Sequence, residues 1–84
     1  MKEIPGLLPS AAEAFQEARE YARLSQAQLA ERANCARSFV SFLETGTHLP
    51  GLNAFVALAE AMELRPSELM RRIEEKMAFR QMRQ

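Results

Sequence analysis

Residues 24–46 read Leu24-Ser25-Gln26-Ala27-Gln28-Leu29-Ala30-Glu31-Arg32-Ala33-Asn34-Cys35-Ala36-Arg37-Ser38-Phe39-Val40-Ser41-Phe42-Leu43-Glu44-Thr45-Gly46. Their apolar residues recur at spacings of three and four, the period of a helix that buries one face. Ser25 and Gln28 have the spacing of a capping box, and Leu24 is placed to staple onto Leu29 one turn inside. Leu29, Ala30 and Ala33 then face inward. Asn34 falls where this helix must stop, and Asn tolerates the left-handed backbone of a helix end. A second short helix is expected from Arg37 to Glu44, with Phe39, Val40 and Leu43 spaced for burial and Gly46 ending it.

The same period runs outward in both directions, with no alternating strand pattern, so the expected fold is all α. Residues 1–9 contain Pro5, Gly6 and Pro9 and read as an N-terminal arm. Ser10 and Glu13 have capping-box spacing, which starts the first helix at Ser10, with Ala14, Phe15, Ala18 and Ala22 on its buried stripe. Pro50 and Gly51 open a fourth helix carrying Leu52, Phe55, Val56, Ala59 and Met62, the most apolar element. Pro66 suits the first position of a fifth helix, which has Glu68 in its first turn, an apolar face of Leu69, Ile73 and Met77, and Leu64 placed to staple onto Leu69. The domain is expected over residues 10–76, with 77–84 as a basic tail that extends helix five.

With 84 residues the chain has room for one core and no second, catalytic domain. Hydrophobic residues make up 48% and charged residues 26%, the balance of a folded globular protein. No apolar run reaches the ~20 residues of a membrane span, and residues 1–9 lack the order of a secretory signal, so the expected compartment is the cytoplasm. Cys35 is the one cysteine, at a position suited to a core thiol. His48 is the one histidine and has no ligand partners at metal spacing. No nucleophile and base pair, paired aspartates or glycine-rich phosphate loop occurs, so neither a catalytic site nor a metal or cofactor is expected. The five methionines read as filler of a helical core. Net charge is zero, but residues 65–84 carry Arg65, Arg71, Arg72, Lys76, Arg80 and Arg83 against Glu68, Glu74 and Glu75. Any affinity for a polyanion therefore has to come from aimed contacts and from more than one copy of the domain.

Two short helices joined by a tight turn form a unit whose second helix fits the major groove of DNA. Such a unit needs a small residue where the helices cross, Gly or Asn in the turn, and apolar residues that fix the angle. Ala30, Asn34 and the set Cys35, Val40 and Leu43 meet these needs. Together with Leu58-Ala59 and Pro66-Ser67-Glu68-Leu69, the stretch resembles the XRE-type family of phage lambda-like repressors and Cro proteins, which includes restriction-modification controllers and some antitoxins. The likeness runs over roughly residues 18–70 without a gap.

The resemblance implies a compact five-helix, lambda-repressor-like domain and assigns roles by position. Gln26 matches a residue that holds a DNA phosphate, and Thr45, Thr47, His48 and Asn53 match further backbone contacts. Arg37, Ser38 and Phe42 match base-reading positions, with Ser41 as a fourth. Arg37 has the fork for a guanine, Ser38 suits a base or a phosphate, and Phe42 can rest on a thymine methyl. Arg19 and Glu44 match a structural salt bridge between helices one and three. Ala36, Gly51 and Arg65 depart from the family by standing at N-caps usually held by Ser, Thr or Asp, where an Ala costs about 1 kcal/mol.

The expected function is sequence-specific binding of double-stranded DNA by a homodimer that regulates transcription, most simply by repression at a palindromic operator. The alternative is a helix-turn-helix module that binds a protein partner, as an antitoxin does. Phe42 keeps three readings, namely DNA contact, packing on a neighbouring helix, or part of a protein-binding patch. The tail keeps two, a subunit interface or a frayed solvated end.

Overall fold

The computed structural model describes residues 2–83; Met1 of the expected arm and Gln84 of the expected tail lie outside them. Among the described residues the chain forms five helices, α1 (Leu7–Tyr21), α2 (Gln26–Ala33), α3 (Arg37–Glu44), α4 (Leu52–Ala61) and α5 (Pro66–Met82), and no strand. Leu29, Leu43, Leu58, Leu69 and Val40 have almost no exposed surface and draw one side chain or more from each of α2 to α5. Helix α1 closes this core with Ala11, Ala14, Phe15 and Ala18. The Phe15 ring meets Phe55 of α4 edge to face with centroids 6.2 Å apart, a geometry favoured by the ring quadrupoles.

Three of the four joints between helices end in the same way. Arg23, Asn34 and Glu63 adopt φ of 62°, 57° and 60°. At each joint the residue after them returns its N–H to a carbonyl five positions back: Leu24 to Arg19, Cys35 to Ala30 and Leu64 to Ala59. This is the Schellman arrangement, and the residue after the left-handed one turns its apolar side chain inward. Leu24 is buried, and Cys35 and Leu64 pack against the core. The fourth joint, after α3, uses Gly46 at φ 77° with Thr47 N–H on the Phe42 carbonyl. A Cβ added at Gly46 would lie 3.8 Å from Ala12 Cβ, so the αL backbone, not crowding, is what calls for glycine there.

Helix starts follow the sequence at α2, where Ser25 Oγ accepts the Gln28 N–H at 3.0 Å and Gln28 Oε1 accepts the Ser25 N–H at 2.9 Å. At α5 only half of such a box forms. Glu68 Oε1 accepts the Arg65 N–H at 3.1 Å, and the Arg65 side chain has no acceptor to return.

Helix α1 departs from expectation: it begins at Leu7, not Ser10, and the arm shrinks accordingly. Gly6 at φ 80° turns the chain into the helix, and Pro9 falls in the first turn, where a missing N–H breaks no helical bond. Ser10 is fully buried and its Oγ accepts Arg80 Nε at 3.0 Å, while Glu13 pairs with Arg80 Nη2 at 2.9 Å. The supposed capping pair is thus an anchor for the far end of α5. One turn on, Lys76 Nζ lies 2.8 Å from Glu17, and beyond it Arg72 sits over the Tyr21 ring at 6.0 Å. Residues 72, 76 and 80 of α5 and 21, 17 and 13 of α1 form an antiparallel ladder, the i, i+4 rows of two packed helices. The tail continues α5 through Met82 and is held by this ladder, in place of a frayed end. Of the apolar residues of the fourth helix, Leu52 lies outside the core: as the first residue of α4 it is 80% exposed.

Arg23 and Glu63 hold a conformation that Gly adopts without the Cβ penalty of about 1–2 kcal/mol, and both side chains are exposed. After the entropy that Gly loses on folding, Arg23→Gly and Glu63→Gly are each expected to add about 0.5–1 kcal/mol of stability. Thermal unfolding followed by circular dichroism checks this through a raised Tm, and a lowered Tm for both would show that the joints tolerate a Cβ without strain.

Candidate nucleic-acid interface

Helix α3 advances about 100° per residue, which places residues 37, 38, 41 and 42 within roughly 140° of one another and residues 39, 40 and 43 on the opposite side. Burial agrees: Val40 and Leu43 are buried and Phe39 is partly so, while Arg37, Ser38 and Phe42 are exposed and Ser41 is half-buried. The helix is locked from below and open above. Asn34–Ala36 is the whole connection to α2. Ala36 precedes α3 without a side-chain cap, as expected from its lack of a hydroxyl. Arg37 is the one charged residue on the open face.

Phe42 is 46% exposed and does not pack into the domain; its ring lies 5.3 Å from that of His48, tilted by 49°. The pair joins the last turn of α3 to the following loop. In that loop Thr45 Oγ1 donates to the Phe42 carbonyl at 3.2 Å and lies 2.9 Å from Thr47 Oγ1. A hydroxyl has one hydrogen. With the Thr45 hydrogen on the carbonyl, Thr47 donates to Thr45, and the two hydroxyls close the end of α3. Asn53 is exposed in the first turn of α4.

Beneath this surface lies the Arg19–Glu44 pair. Arg19 Nε donates to Glu44 Oε2 at 2.7 Å, Nη2 to Oε1 at 3.0 Å, and Nη1 to the Leu24 carbonyl at 2.8 Å. The two side chains are only 12% and 4% exposed. The hydrogen bonds to Glu44 push the Arg19 pKa up, against the opposing effect of burial. Glu44 Oε1 also accepts Gln26 Nε2 at 3.1 Å. The charges are satisfied: among the described residues no buried side-chain nitrogen or oxygen lacks a partner.

The structure therefore brings Gln26, Arg37, Ser38, Ser41, Phe42, Thr45, Thr47 and His48 onto α3 and the segments that adjoin it. Sequence reasoning missed the Phe42–His48 contact and the bond from Gln26 to Glu44. The first depends on the fold of the loop after α3, and the second joins residues 18 apart in the chain. Leu49 and Leu52, 46% and 80% exposed beside the same loop, were also missed as surface residues. Cys35 is partly buried at the core's edge, and burial pushes its thiol pKa up. Among the described residues no three His, Cys, Asp or Glu side chains gather as a metal site, and no helix is long and apolar enough to cross a membrane.

A supporting helix, a three-residue turn and an open second helix define a helix-turn-helix. The helix-turn-helix domain model matches residues 11–73, and the chain belongs to that family, in line with the resemblance to XRE-type regulators. The restriction-modification controller C.AhdI from Aeromonas hydrophila is 32% identical over 74% of this chain and 94% of its own, with a TM-score of 0.71. The clp gene regulator ClgR from Corynebacterium glutamicum is 18% identical over 94% and 84%, with a TM-score of 0.87, a likeness of fold. The controller C.Esp1396I, solved as a tetramer with its natural 35 base-pair operator, is 15% identical over 86% and 95%, with a TM-score of 0.78. Sequence comparison with curated proteins gives no significant match.

Removing one partner of a buried ion pair strands the other charge, at about 3–5 kcal/mol. Arg19→Met is expected to lower stability by about 3 kcal/mol, read as a shift in the urea midpoint, and a change below 1 kcal/mol would mean that the pair is effectively solvated. Cys35 is expected to alkylate with iodoacetamide at pH 8 several-fold more slowly than in the urea-unfolded chain, since the raised pKa lowers its thiolate fraction. Equal rates in the two states would rule this out.

Proposed function

We propose that this protein is a sequence-specific double-stranded DNA-binding regulator of transcription that acts as a homodimer on a palindromic operator, most simply as a repressor, in the cytoplasm and without catalytic activity. The observation that carries the reading is the open face of α3: Arg37, Ser38 and Phe42 stand exposed on a helix whose other side packs on the core through Val40, Leu43 and part of Phe39. A rigid helix presenting a guanidinium, a hydroxyl and an aromatic edge matches the donors and the apolar surface that the major groove accepts. C.AhdI and C.Esp1396I are named as restriction-modification controllers, and the second is found on its operator, which supports DNA as the partner.

The roles divide by chemistry. Arg37 pairs with the O6 and N7 of a guanine, Ser38 and Ser41 serve a base edge or phosphate, and Phe42 rests on a thymine methyl. Gln26, His48 and Asn53 hold the sugar-phosphate backbone and set register, and Thr47 joins them only by turning its hydroxyl hydrogen from Thr45 to a phosphate. Thr45, whose hydrogen is engaged by the Phe42 carbonyl, contributes as an acceptor and as a brace. Zero net charge makes each single-domain footprint weak, so two copies share the site. The second-copy surface is the outer side of α5, where Phe79 and Met82 remain 59% and 81% exposed after the ladder to α1 has used the inner edge. Ile4, 53% exposed, adds to it. Two reading helices in such a dimer meet half-sites one helical turn apart, about 34 Å.

Selection from a random duplex pool is expected to return two-fold symmetric sites whose half-site centres lie about 10 base pairs apart. Arg37→Ala is expected to cost about 1–3 kcal/mol and to relax preference at one base pair of each half-site. Enrichment of no duplex, together with retention on heparin that salt does not weaken, would favour a protein-binding module.

A further inference from the structure

Gln26 sits at the first position of α2, half-buried, and its amide is not free to turn. A side-chain amide presents an oxygen on one side and an NH2 on the other, and only the NH2 can face a carboxylate. Glu44 Oε1, 3.1 Å from Gln26 Nε2, therefore fixes which way the amide points. The carboxylate is itself immobile: Arg19 holds both of its oxygens at 2.7 and 3.0 Å, and only 4% of its side chain is exposed. One amide hydrogen goes to Glu44 and the second is left over. Beside it, the backbone N–H groups of Gln26 and Ala27 lie in the first turn, where no helical carbonyl can reach them. The Gln28 N–H is already taken by Ser25.

We propose that Glu44 is a positioning residue for DNA: clamped by Arg19, it orients the Gln26 amide so that its second N–H, beside the first backbone N–H groups of α2, binds a phosphate of the duplex. The inference rests on the DNA-binding reading above. It makes the core ion pair part of the recognition surface, since the carboxylate that ties α3 to α1 also aims a donor on α2. It also has an unusual sign. A buried carboxylate close to a polyanion repels it, and its removal acting through charge alone tightens binding. Positioning acts the other way.

The test is a double-mutant cycle on the full chain, using a duplex selected by the wild-type protein, with Gln26→Ala, Glu44→Gln and the two combined. Measurements are made at a temperature where circular dichroism shows every variant folded. Glu44→Asp is the companion: it keeps a charge for Arg19 but withdraws the carboxylate from Gln26 by one methylene. Glu44→Gln and Glu44→Asp are each expected to weaken binding about tenfold, the worth of one hydrogen bond to a charged group. Neither is expected to add to the loss already present in Gln26→Ala. The side-chain amide resonances of Gln26, read by NMR without DNA, are expected to move to solvent-exposed values in both Glu44 variants. Binding that is unchanged or tighter in the Glu44 variants, or weakened equally in the Gln26→Ala background, would overturn the proposal. A wild-type protein that selects no duplex overturns the DNA reading and this role with it. The amide resonances then still report whether Glu44 orients Gln26, so the two failures are distinct.

Discussion

The Arg19–Glu44 pair is the constraint on which the working surface depends. Its guanidinium reaches the end of α3 through two bonds and the joint before α2 through the Leu24 carbonyl, so three elements share one charged group. Apolar packing of Val40 and Leu43 seats α3 on the core, and the ion pair adds a directional tie at its last turn. A forked donor set against a carboxylate admits one geometry. Buried in this way the pair contributes little net stability over a well-packed apolar substitute. What it contributes is a fixed link between α1, the joint before α2 and the end of α3.

The remaining helices complete the core. Helix α4 fills the floor with Leu58 and Ala59, and α5 closes the far side with Leu69 and Ile73. The charged ladder between α1 and α5 occupies much of the basic charge at the C-terminal end. Of the basic residues in 65–84, Lys76 and Arg80 are paired with Glu17 and Glu13 of α1. Arg37, by contrast, stands exposed on the open face of α3.

Much of this was legible in the sequence, because the features concerned are local. The capping box at Ser25 and Gln28, the turn at Asn34, the inward set Val40 and Leu43, and Pro66 opening α5 each depend on neighbours within one helical turn, and each stands where the spacing puts it. The start of α1 was misread because Ser10 and Glu13 have the spacing of a cap and serve a tertiary contact with Arg80, 70 positions away. The exposure of Leu52 was not legible, because an apolar pattern does not tell whether the core extends to the helix's first turn. For the site, both the outward residues of α3 and the Arg19–Glu44 pair came from the family likeness. The hold of Glu44 on Gln26 and the seat of Phe42 beside His48 belong to distances that no spacing rule encodes.

The joints between the helices carry a consequence for how such a protein can diversify. Three of them are closed by a left-handed residue followed by one that turns into the core, with the N–H of each returned to a fixed carbonyl. A residue inserted there would rotate the next helix and expel the anchoring side chain together. The connection over residues 45–51 is the longest, and of its residues only Gly46 and Pro50 are not exposed or end-capping side chains. The segment that borders the open face of α3 is therefore the one joint in which added length would displace no anchoring side chain of this kind.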